Sequence, residues 1–109
     1  MGDVNETIKK LLEFRDERDW EQFQNSKDLA LAISIEAGEL LELFLWKGNE
    51  EVDRDKLKDE LADVLSFCLL LAHKHGLDIN EIISNKIKKN KEKYPVSKSK
   101  GSSRKYSDL

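Results

Sequence analysis

Only one proline, Pro95, occurs in 109 residues. Proline removes a backbone donor and clashes with the preceding helical turn, so the 94 residues before it are free to run in long helices. Five glycines are too few for a turn-rich β architecture. Helix signals divide the chain accordingly. Asp3 and Glu6 form a capping box for a helix to about Glu17, with Val4, Ile8, Leu11, Leu12 and Phe14 on its apolar side. Asp19 to Asn25 is a connection holding Trp20 and Phe23. Ser26 reads as the N-cap of a second helix that continues to Trp46 and stops at Lys47-Gly48. A third, capped near Asp53 or Asp55, ends with His73, Lys74 and His75 before Gly76. Asp78 caps a fourth, carrying Ile79, Ile82, Ile83 and Ile87 and ending before Pro95. The expected fold is all-α, an antiparallel bundle of about four helices over residues 1–95. Residues 96–109, rich in Ser, Lys and Gly, are expected to form a disordered tail.

Bulk properties narrow the function. A net charge of −3 offers no general attraction for nucleic acid or anionic membranes. No apolar run approaches the ~18 residues of a membrane span. The segment MGDVNETIKK has no apolar stretch of the secretory kind. The lone Cys68 cannot form an internal disulfide, which agrees with a cytoplasmic location.

Four acids are the informative feature. Glu36 and Glu39 fall in the second helix, Glu60 and Asp63 in the third, each pair spaced i, i+3 and so sharing a helix face. That face is apolar: Leu29, Ile33, Leu40 and Leu43 flank the first pair, and Leu57, Val64, Phe67 and Leu71 the second. Withdrawing a carboxylate from water without compensation is costly, so such a group is either protonated or beside a cation. Neither Asp28 to Trp46 nor Asp59 to His73 contains a Lys or Arg. A metal ion is the economical counter-charge. Carboxylates without Cys or His are hard oxygen donors, suited to Mg²⁺, with Mn²⁺ as the alternative, rather than Zn²⁺. Di-iron bundles use Glu-x-x-His, which neither pair supplies.

Together with ERDWEQF, EAGELLELFLW, DELADVL and KIKKNKEKYP, these pairs resemble the MazG-like all-α nucleoside triphosphate pyrophosphohydrolases, most closely the dCTP pyrophosphatase-like members. The resemblance covers roughly residues 8–95. It implies that Glu36, Glu39, Glu60 and Asp63 bind magnesium and that a (deoxy)nucleoside triphosphate is split into monophosphate and pyrophosphate, as in nucleotide-pool sanitation. Glu39 is then the candidate for activating water. Lys86, Asn90 and Lys93 become phosphate contacts, Trp20 and Trp46 stack on the base, and Phe67 lies in the base pocket. Leu11 and Phe67 replace a His and a Tyr of the cytosine-selective pattern, which leaves base preference open.

The second helix is also apolar on its reverse side, through Ala30, Leu31, Ile35, Leu41 and Leu45, and the third through Leu61, Ala62, Leu65, Leu69 and Ala72. A helix apolar all round needs cover all round, which predicts a homodimer or homotetramer that completes the bundle. The rival readings are a non-catalytic helical oligomerisation module and a nucleotide sensor that binds without cutting.

Overall fold

The computed structural model describes residues 3–109, which form two compact units meeting in sequence at Gly76 and Leu77. The first unit contains α1 (Val4–Glu17), a 3-10 turn at Glu21–Phe23, α2 (Ser26–Glu42) and α3 (Arg54–Lys74). The second contains α4 (Ile79–Lys93), α5 (Val96–Ser99) and a 3-10 turn at Tyr106–Asp108. No strand occurs among the described residues, as expected for an all-α chain.

Side-chain caps start the long helices. Asp3 accepts from the Glu6 N–H (2.9 Å), Asp53 from Asp55 and Lys56, and Asp78 from Glu81. At α2 the cap is Asn25, accepting from the Asp28 N–H at 2.8 Å, and not Ser26. Ser26 is the first helical residue, and its hydroxyl instead reaches His75 Nε2 at 2.8 Å. The end of α2 also departs from expectation. The helix stops at Glu42, and the next residues tighten into i→i−3 bonds, from Leu43 to Leu40, Phe44 to Leu41 and Leu45 to Glu42. Trp46, at φ 63, takes the left-handed conformation. A bulky residue there costs more than glycine would, so the loop geometry overrides local preference.

Within the first unit α2 packs chiefly on α3, and α1 also packs on α3. The Ser26–His75 bond joins the start of α2 to the end of α3, so the two run antiparallel. Their core lies at that end: Leu29, Leu70 and Ala72 are 3%, 7% and 6% exposed. At the other end Leu41 is 68% exposed and Trp46 98%. No helix among the described residues is long and apolar enough to cross a membrane.

In the second unit residues 96–109, expected from composition to be disordered, carry local structure. The Tyr94 and Tyr106 rings meet edge-on at 6.1 Å, and the Lys93 ammonium lies 4.9 Å from the Tyr106 ring centre. These aromatic contacts tie the segment to the end of α4, a contribution that overall polarity hides.

Candidate active site

Antiparallel pairing sets the middle of α2 beside the first half of α3, where the two acid pairs lie. Glu36, Glu60 and Asp63 each offer an oxygen within 4.8 Å of the others. Glu36 and Glu60 are half-buried and Asp63 is exposed. One oxygen of each glutamate, both named Oε2, is sealed from solvent without a hydrogen-bond partner among the described residues. Glu39, also expected in the cluster, is exposed one turn further along α2 and outside the converging group.

The basic groups do not relieve this crowding. The Lys and Arg ion pairs among the described residues are Arg15 with Asp16 (2.9 Å) and with Glu21 (3.6 Å), and neither involves the four acids. Contact with Glu39 acts to lower the Glu36 pKa. Contact with Glu60, burial, and the charges of Glu60 and Asp63 outweigh it and hold Glu36 above the ordinary carboxylate value. Glu39 is raised too, first by its contact with Glu36 and then by that group's charge and by desolvation. Two ionised carboxylates have no proton to form a hydrogen bond, so such contacts call for a shared proton or a cation. The three converging carboxylates, two of which carry a buried unpaired oxygen, fit a hard divalent ion.

A cavity of about 250 Å³ adjoins the acids through Asp63. Leu11, Phe14, Trp20, Phe67 and Leu70 supply its apolar walls, and Arg15, Gln24, Ser66 and Asp63 its polar lining. The end of α1 places Trp20. Asp19 sits at φ 54, its N–H donates to Asp16 O, and the Trp20 N–H donates back to Arg15 O at 3.1 Å. This left-handed helix stop folds the chain over, so that the Trp20 ring meets Phe14 edge-on at 5.7 Å. From α3, Asp63, Ser66, Phe67 and Leu70 follow at helical spacing and line one side. A second cavity of about 240 Å³, lined by Arg15, Glu21, Gln24, Leu29, Leu70, His73 and Lys74, shares Arg15, Gln24 and Leu70 with the first.

Trp20 and Phe67, both expected at the base, line the first cavity. Trp46 does not line either cavity. It lies beyond the end of α2, whereas the cavities lie toward the α2 start and the α3 end. Lys86, Asn90 and Lys93 are exposed along α4 in the second unit. Gln24 and Ser66 were missed. Ser66 was within reach, three residues after Asp63 on the same face, but Gln24 follows a 3-10 turn that no periodicity marks.

The MazG-like family model matches residues 31–109. The chain is 42% identical to dCTP pyrophosphatase 1 of Mus musculus over 113 aligned residues, covering 95% of this chain and 66% of that protein. For the Homo sapiens protein of the same name the identity is 40%, with 95% and 66% covered. The chain thus spans about two thirds of the length of these relatives. Among solved structures it resembles a pyrophosphatase from Archaeoglobus fulgidus, with a TM-score of 0.81 and 35% identity, over 87% of this chain and 94% of that one.

Proposed function

The chain belongs to the MazG-like family, and on that footing we propose that it is a magnesium-dependent nucleoside triphosphate pyrophosphohydrolase, converting a (deoxy)nucleoside triphosphate to monophosphate and pyrophosphate. The observation that carries this reading is the convergence of Glu36, Glu60 and Asp63 beside a flat-walled cavity that shares Asp63. The names of the mammalian and archaeal relatives support the reaction class.

Glu36, Glu60 and Asp63 would hold the ion, with Glu39 beside them. A divalent ion in such a site supplies positive charge against the phosphate oxygens and acidifies bound water. Glu39 is exposed and more basic than an ordinary glutamate, which suits it to orient a water and accept its proton. Trp20 offers the base a flat face and Phe67 closes the wall. Lys86, Asn90 and Lys93 are assigned to the phosphates, since their i, i+4, i+7 spacing puts three polar groups on one side of α4. The catalytic portion accordingly runs over residues 1–95, and nucleotide-pool sanitation is the role that fits.

The active form is a homodimer or homotetramer. Leu31, Ile35, Leu41, Leu45, Leu61 and Leu65 remain exposed on the α2–α3 pair. A side chain added at Gly38 would meet nothing within 4 Å, so a close-approach surface stands free there. Trp46 lies at the wrong end of its own helix pair for stacking in that chain's cavity, and it takes that role by serving a second copy.

The test is pyrophosphate release from a panel of standard and modified nucleoside triphosphates, with Mg²⁺ and with a chelator. Asp63→Asn and Glu39→Gln should each abolish turnover while the helical circular-dichroism signal persists. Full activity in either folded variant would refute the site assignment.

A further inference from the structure

After Pro95 the chain returns to the end of α4. Pro95 opens the short helix α5, in which the Ser99 N–H donates to Pro95 O at 2.9 Å and the Lys100 N–H to Val96 O at 3.1 Å. Gly101 then takes φ 77, a left-handed conformation that glycine adopts without the cost a side chain would add. The turn there brings Tyr106 back, its ring edge-on to Tyr94 at 6.1 Å and 4.9 Å from the Lys93 ammonium. Among the described residues Lys93 forms no ion pair, and of the α4 lysines it alone lies over an aromatic ring. Tyr94 is itself anchored, its N–H donating to Asn90 O at 2.8 Å. The last turn of α4 and the returning segment therefore form one local structure, with the Lys93 head group held at its edge.

We propose that Tyr106 is a positioning residue, whose ring holds the Lys93 ammonium ready for the phosphates of the substrate. This rests on the reading that Lys93 contacts those phosphates. A ring face attracts a cation through its quadrupole and leaves the charge intact, whereas a carboxylate in the same place would cancel it. An ammonium carries three N–H donors, so a ring on one side leaves others for phosphate oxygens. An unheld lysine gives up rotamer freedom when it binds a ligand, and one already placed gives up less. The ring thus strengthens phosphate binding without touching phosphate. Its own orientation is fixed by the edge-on contact with Tyr94. The ring face carries this effect and the phenolic hydroxyl does not, which sets Tyr106 apart from a hydrogen-bonding ligand of the substrate.

The experiment is a double-mutant cycle of Lys93 and Tyr106 on the full chain with Mg²⁺, reading KM and kcat for the best-cleaved nucleoside triphosphate of the panel. Tyr106→Leu should raise KM roughly twofold to fivefold, the worth of an exposed cation–ring contact, and leave kcat within about twofold. Tyr106→Phe keeps the ring face and should match wild type. Lys93→Ala should raise KM further than Tyr106→Leu does, and adding Tyr106→Leu to Lys93→Ala should change it no more. That last comparison separates positioning from a structural role, because a collapsed tail would cost as much with Lys93 already gone. The proposal is overturned by an unchanged KM in Tyr106→Leu, by an equal loss in Tyr106→Phe, or by an undiminished loss in the Lys93→Ala background. A binding arm measures the affinity for inorganic triphosphate with Mg²⁺ by calorimetry, which needs no nucleotide cleavage. If wild-type protein cleaves no nucleotide, yet its triphosphate affinity depends on Tyr106 only while Lys93 is present, hydrolysis is refuted and the positioning stands. Cleavage with a KM indifferent to Lys93→Ala upholds hydrolysis and overturns both the phosphate contact and the part of Tyr106 in it.

Discussion

The two ends of the α2–α3 pair are finished differently. At the Leu29 end the helices close on Leu70 and Ala72, and the Ser26–His75 bond fastens the start of one to the end of the other. At the Trp46 end α2 unwinds into a tightened turn, and Leu41, Leu45 and Trp46 stand in the open. The acids lie between. One chain thus completes its own packing only where α1 and the Trp20 turn can cover the pair. Elsewhere it presents a large apolar surface of the kind that marks an interaction site.

The contrast can be broken most forcefully from the closed end. Leu70→Ala should cost about 2–5 kcal/mol in urea unfolding, because it empties the centre of the small core. Leu41→Ala, at a position 68% exposed, should cost the isolated chain less than about 0.5 kcal/mol. Equal losses at low protein concentration would mean that the two ends do not differ as described. Next in size is Leu65→Arg on the open face, which should weaken self-association at least about tenfold in a light-scattering dilution series, since it buries an unpaired charge in the proposed contact. A wild-type protein that stays monomeric throughout that series would dispose of the assembly.

A smaller effect is expected from pH, between the two ends. The folded state raises the pKa of Glu36 and Glu39, so it binds protons more readily than the unfolded chain. Their contribution to stability is full below the ordinary carboxylate range and is lost as pH rises through the raised values. Metal-free protein should therefore melt higher on acidification from neutrality toward about pH 5, and Glu36→Gln should blunt that gain. Magnesium at neutral pH should replace the proton and flatten the profile. Ser26→Ala removes one exposed hydrogen bond to His75 at the closed end and should cost about 0.5–1.5 kcal/mol. No loss there would show that the closed end depends on apolar packing alone.

Much of this molecule was legible as sequence because its signals are local. Caps and periodicity depend on residues three or four apart, so Asp3, Asp53 and Asp78 announce their helices, and the i, i+3 acid pairs announce a shared face. The scarcity of basic partners near those acids was equally readable, because it is a property of composition along two short stretches. The end of α2 was less legible. Nothing in the run to Trp46 forbids helix, and the left-handed Trp46 arises from the path the loop takes to α3.

The order of residues alone prescribes an all-α chain with two acid pairs on apolar helix faces. Which oxygens meet is settled in three dimensions: Glu36, Glu60 and Asp63 converge while Glu39 stands one turn aside. Folding also joins Trp20, Gln24 and Phe67 around one cavity, though they lie on a turn, a connection and a helix far apart in the chain. Helical periodicity fixes a side chain's direction about its own axis, whereas the distance between side chains on different helices depends on how those helices pack.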